Sequence, residues 1–210
     1  MKYFLFVLLL IPSFGFSQEL APYNMERLKL DKNLMTGLGA WSLTNIGIGA
    51  VGWATSKGQR QAFHQMNVMW SGVNLALAIP GFFKAKNGTV NGLSFKETYL
   101  AQQKTEKIFL FNTALDVFYI SGGLFIKERA KTDFSNQDQF TGWGNALLLQ
   151  GGFLFLFDLT ATLLHTQHRK HKLDSFLDRF SMATNGLGFS FSLDQSGFSP
   201  IDFSATHLEL

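Results

Sequence analysis

Between Lys32 and Lys57 the chain reads NLMTGLGAWSLTNIGIGAVGWATS, residues Asn33 to Ser56, without one Asp, Glu, Lys or Arg. Three windows of the same kind follow. From Arg60 to Lys84 the only titratable residue is His64, Lys107 to Lys127 encloses a single charge at Asp116, and Asp138 to Arg169 encloses a single charge at Asp158. A membrane helix needs about 20 mostly apolar residues to cross about 30 Å of hydrocarbon, and each window is close to that length. A water-soluble four-helix bundle would instead carry a charged stripe along every helix. Whole turns such as Gly47 to Trp53 and Gly151 to Phe157 have no charge on any face. The pattern predicts an all-α membrane fold, an up-down bundle of four transmembrane helices with spans Met35–Ala54, Gln65–Phe83, Ile108–Ile126 and Asn145–Leu164.

Composition agrees. Only 16% of the 210 residues are charged, against about one quarter in average globular proteins. The 23 Phe and 4 Trp exclude a disordered chain. Zero Cys excludes disulfides, iron–sulfur clusters, c-type haem and Cys-based zinc sites. A net charge of +3 is too weak to point to nucleic acid.

Residues 1–17 read as a secretory signal peptide: Lys2, an apolar run from Phe4 to Phe16, and small residues at Gly15 and Ser17. An uncleaved anchor is the alternative. Either delivers Gln18 across the membrane and implies a multi-pass protein of the bacterial inner (plasma) membrane with an exported N-terminus. A four-helix domain would then occupy 18–183 and a tail 184–210.

Between the second and third spans, Ser94-Phe95-Lys96-Glu97 has the form of a capping box and would start the third helix well before the membrane. After Leu164, Leu173, Phe176, Leu177 and Phe180 oppose Arg169, Lys170, Lys172 and Arg179. This is a short amphipathic helix, lying on lipid headgroups or packed on the protruding ends of the others. In the tail, Leu187 to Leu193 alternates large and small residues, and Phe198 to Phe203 could pair with it as a β-hairpin.

Few polar residues interrupt the spans. Trp41-Ser42-x-x-Asn45 recurs 29 positions later as Trp70-Ser71-x-x-Asn74. Counted from the span ends, Asn45, Asn74, Asp116 and Asp158 all fall roughly 9–15 Å below the outer boundary. Each span thus contributes one amide or carboxyl to a common intramembrane layer. Supporting seams run through His64, Asn67, Ser71, Asn74, Ala78 and Gly81 on the second helix, and through Asn112, Asp116, Tyr119 and Gly123 on the third. On the fourth the seam is Gly151, Phe155, Asp158, Thr162 and His165. Small and polar residues at 3–4 spacing face other helices. An Asp at mid-bilayer costs about 2.5–3.5 kcal/mol even on the lenient insertion scale, so both must turn inward, and two in contact would share one proton. The layer is then a proton or cation relay, or a hydrogen-bonded clamp fixing helix register.

His165, His168 and His171 have a spacing that lets adjacent pairs bind metal, but no carboxylate partner is evident for them and a basic cluster at the membrane exit explains them equally well. No metal and no cofactor is expected. There is no phosphate-binding GxxxxGK[ST], no HExxH and no nucleophile elbow.

The stretch from Arg27 to Ala78 resembles an uncharacterised family of small bacterial membrane proteins, a domain of unknown function. The resemblance rests on Gly39-Ala40-Trp41-Ser42 with Asn45, and on Phe63-His64-Gln65-Met66-Asn67-x-x-Trp70-x-x-Val73-Asn74-Leu75. It implies four helices and a signal-like N-terminus, with no established activity. The resemblance leaves the function open; because no nucleophile–base pair stands out, the expected function is non-enzymatic: a structural or interaction component of the envelope, in contact with lipid and either self-associating or bound to a membrane-protein partner. The alternative is a small oligomeric transporter or channel using Asp116 and Asp158.

Overall fold

A computed structural model describes residues 2–174, with side chains from Leu20 onward. Four helices run up and down: α1 (Lys2–Thr55), α2 (Gly58–Lys86), α3 (Phe95–Arg129) and α4 (Gln137–His168), the last continued by a π-helical turn, Arg169–Asp174. The tail with its hairpin, and positions 176–180 of the expected amphipathic helix, lie outside the described residues. All four helices are long and apolar enough to span a membrane.

Each helix overruns its expected span. The part of α1 with described side chains, Leu20–Thr55, has 36 residues, about 54 Å at 1.5 Å per residue. About 24 Å therefore remains beyond a 30 Å hydrocarbon layer. The Ser94 capping box explains the early start of α3: Glu97 N–H donates to Ser94 Oγ, and Ser94 N–H donates to the Glu97 carboxylate at 2.8 Å. The connector between α1 and α2 is only Ser56 and Lys57, shorter than the expected loop. Gly58 opens α2 at φ +58, in the left-handed region that disfavours a side chain, and a Cβ there would meet Asp138 Oδ2 at 2.7 Å.

The packing is two antiparallel hairpins, α1/α2 and α3/α4, joined along α2 and α4. Glycines set the close approaches. A Cβ on Gly123 would lie 2.9 Å from the Gly144 carbonyl oxygen, and one on Gly142 would run into the Gln59 carbonyl oxygen. These backbones touch because nothing larger than hydrogen stands between them.

Burial is inverted relative to a water-soluble bundle. Asn45, Asn67, Ser71, Asn74, Asp116, Gln150 and Asp158 are buried, whereas Leu43, Ile48, Leu77, Phe111 and Leu156 are exposed, and Phe118 and Phe125 each expose 72% of their surface. An apolar belt of that extent is untenable in water and is what hydrocarbon requires. The protein is a multi-pass membrane protein with four candidate spans.

At one end the overrunning parts of α1, α3 and α4 form a cap. Leu173 is buried against Leu20 and Tyr23, with Phe95 and Tyr99 packed on them, and Arg169 pairs with Glu106 at 2.9 Å and Asp174 at 2.7 Å. Of the two expectations for the segment after Leu164, packing on helix ends holds through Asp174.

Candidate functional site: an amide clamp and a carboxyl cavity between the helices

Gln150 organises the polar interior. It is wholly buried on α4, and its side chain uses its full hydrogen-bonding capacity. Its Oε1 accepts from Trp41 Nε1–H at 3.1 Å and from Asn74 Nδ2–H at 3.2 Å. Its Nε2–H groups donate to Ser71 Oγ at 3.2 Å and to Asn67 Oδ1. Asn67 in turn donates to Asn45 Oδ1 at 2.8 Å, and Asn45 donates to the Trp41 carbonyl at 2.9 Å. Three helices are thereby tied together through one side chain. The ring of Trp41 also stacks on Phe153, centroids 3.8 Å apart.

Asp116 and Asp158 form a separate layer. Their carboxyls are within hydrogen-bonding reach of one another, and Asn112 adjoins Asp158. Eight residues of α4 separate Asp158 from Gln150, about 12 Å. The expected single layer of Asn45, Asn74, Asp116 and Asp158 is therefore two, because the partner of Asn45 is Asn67 and not a carboxyl. Asn74 connects them: it donates to Gln150 and also lines the carboxyl cavity.

That cavity, about 370 Å³, lies between the hairpins. Trp70, Asn112, Asp116, Tyr119 and Asp158 supply its polar groups, and Leu38, Leu77, Leu154 and Phe157 are among its apolar walls. Asp116 is 2% exposed, and its Oδ2 has no hydrogen-bond partner. Neither has the buried Nε1–H of Trp70, whose ring meets Tyr119 edge-on with centroids 4.8 Å apart. An acceptor and a donor, both unsatisfied, thus belong to residues lining one chamber.

The remaining expected residues fall elsewhere. His64 is half-buried at the far end of the bundle, packed against Gly52 and edge-on to Phe63, its Nδ1 unpartnered. Thr162 donates to its own helix at the Asp158 carbonyl, 2.8 Å. The α4 seam keeps Gly151, Asp158 and His165, which are buried, and gains Gln150, Leu154 and Ala161 in place of the half-buried Phe155 and Thr162. His165 belongs to the cap: it stacks on Phe109, accepts Gln102 Nε2–H at its carbonyl at 2.8 Å, and holds Nε2 3.1 Å from Asp31 Oδ1, out of line for a hydrogen bond. His168 lies 3.1 Å from Glu26 and stacks on Tyr23. The histidines do have carboxylate neighbours, and α1 supplies them. Among the described residues no three metal-binding side chains converge on one point.

Burial of His168 disfavours its protonated form and holds it below the ordinary 6.5, against the opposing pull of Glu26. Burial alone would raise Glu26, but hydrogen bonds from Lys172 and His168 more than offset it and hold its carboxyl below the ordinary range.

A family model described as a family of unknown function (DUF6992) matches residues 37–159, more than half of the chain. The chain belongs to that family. The DUF6992 match contains every residue of the Gln150 network and both carboxyls, and excludes the cap residues Asn24, Asp31, His165 and His168. No curated protein and no solved structure matches the chain.

Proposed function

We propose that this is a non-enzymatic protein of the bacterial plasma membrane, exported at its N-terminus, whose working part is the Asp116–Asp158 pair. The pair takes up and releases a proton or small cation. One observation carries the reading: Asp116 is buried at a cavity with a free carboxyl oxygen beside a second carboxyl. Two carboxylates in contact in hydrocarbon cannot both stand charged and unaccompanied. A proton or a cation between them relieves the repulsion, and water brought with it would also serve Trp70 Nε1. The Gln150 network supports the same division of labour, since it already ties three helices together without the carboxyls.

The other reading is an envelope assembly component, working as an oligomer or with a membrane-protein partner. What favours it is the same network, which spends the polar groups of α1, α2 and α4 on rigidity. Asp116→Asn and Asp158→Asn separate the two. For a proton or cation site, flux into vesicles reconstituted with the variants falls at least tenfold while the melting temperature is kept. Unfolding of both variants favours a purely structural pair, and unchanged flux with unchanged melting refutes the carboxyl reading.

A further inference from the structure

The carboxyl cavity does not end at its own walls. Met35, Gly81, Ile108 and Phe109 also line a second cavity of about 420 Å³, so the two form one groove between the α1/α2 hairpin and α3. From Thr105, in the second cavity, to Asp116 in the first, α3 climbs eleven residues, about 16 Å. The middle of the groove is apolar, with Met35, Leu38, Leu77, Ile108 and Leu115 along it. α2 and α3 are scarcely in contact with one another, so the groove runs between them.

Its outer end is basic. Arg27, Lys84 and Lys104 line it, with Asp31 the single acid. Arg27 is 7% exposed. It reaches Asn24 Oδ1 through Nη2 at 3.3 Å and Asp31 Oδ2 through Nη1 at 3.8 Å, while its buried Nε–H has no partner. Lys84 and Lys104 are exposed and make no ion pair among the described residues. Three cations against one anion leave a net charge of +2 in this chamber. A buried guanidinium N–H is expensive to leave unpaired, and an oxyanion is its natural acceptor.

Depth places this chamber at a lipid headgroup. Lys84 follows the apolar window of α2, and Lys104 precedes that of α3. Lysines at such positions sit at the membrane interface. A charged chamber at the interface, continued by an apolar groove directed at the bilayer centre, has the polarity of one molecule.

From this juxtaposition we propose that the groove between the α1/α2 hairpin and α3 is a binding site for an anionic lipid. The phosphate of the lipid is held by Arg27, Lys84 and Lys104, and one acyl chain lies between α2 and α3. The chain stops short of Asp116. The proposal stands apart from any proton or cation role of the carboxyls, because it uses none of their atoms.

The test uses the full chain in nanodiscs of phosphatidylcholine doped with phosphatidylglycerol, followed by release into gentle detergent and native mass spectrometry. The intact protein retains one phosphatidylglycerol in preference to phosphatidylcholine. Lys84→Gln with Lys104→Gln, both exposed positions, lowers that preference about tenfold at unchanged melting temperature. Ala101→Trp, which fills the groove beside the cations without removing charge, abolishes retention. Equal retention of the two lipids by the intact protein, or an unaltered preference in the double variant, overturns the proposal. So does displacement of the lipid by glycerol phosphate at equal concentration, which would mean that the site reads the anion and not the chain.

Discussion

Replacing Gln150 by Leu removes four hydrogen bonds with one substitution of similar volume. Trp41 Nε1–H, two amide side chains and the Ser71 hydroxyl lose their partner together. In membranes an interhelical hydrogen bond averages about 0.6 kcal/mol, less than in a water-soluble core because the separated helices also find partners. Four such bonds give about 2.4 kcal/mol, or about 60-fold in the unfolding equilibrium at 1.36 kcal/mol per decade. Leu fills the site, so little of the loss would come from a cavity. Reversible unfolding in mixed micelles, titrated with a denaturing detergent, reads the difference directly. A double-mutant cycle with Asn74→Ala then isolates one bond, with an expected coupling of about 0.6 kcal/mol. If Gln150→Leu lies within about 0.5 kcal/mol of the intact protein, the four contacts do not clamp the helices and the two-layer description of the interior fails.

The glycines give a paired prediction. Gly142→Leu forces α2 and α4 apart at Gln59, Ala62 and Phe63 and is expected to cost about 1–3 kcal/mol, whereas a Cβ on Gly152 meets nothing within 4 Å and Gly152→Ala is expected to be neutral. The same titration compares them, and equal stability of the two variants would contradict the close helix contact. The cap should be acid-sensitive. His168 is held below 6.5 and Glu26 below 4.5, so the unfolded chain binds more protons than the native one in both ranges. The melting temperature therefore falls as pH drops below 6.5 and again below 4.5. His168→Gln should remove the first decline and leave the second weakened, since Lys172 still holds Glu26.

The four spans were legible because a long stretch without charge has few physical causes, and the capping box at Ser94 because its chemistry is local. The α2 seam was also legible, since Asn67, Ser71, Asn74 and Ala78 repeat at helical spacing on one face. Gln150 was not. It sits next to Gly151 in a run where every face is apolar, and a seam stepped from Gly151 through Phe155 and Thr162 runs one position beyond the buried Leu154 and Ala161 and passes beside Gln150. What buries Gln150 is the indole of Trp41 on α1 with the amides and hydroxyl of Asn67, Ser71 and Asn74 on α2, partners 76 to 109 positions away. Distance hid the cap too. Asn24 donates to Thr98 at 2.9 Å across 74 positions, and Asp31 meets His165 only after α1 and α4 have passed beyond the membrane. These segments carry ordinary charge and look like connectors until the helices that bear them are placed side by side.

The absence of cysteine allows the solvent of the belt to be measured one position at a time. Single cysteines at the exposed apolar positions Leu43, Leu77, Phe118 and Leu156, with controls at Lys57 and Thr132 in the turns, would be challenged in membranes with an impermeant maleimide before and after lysis. Hydrocarbon around the helices predicts that the four belt positions stay unlabelled throughout, while each turn position labels as soon as its side of the membrane is reached. Labelling of Leu77→Cys or Leu156→Cys at the rate of the turn controls, in membranes that still hold the folded protein, would mean that water bathes the belt and that these helices do not cross the bilayer.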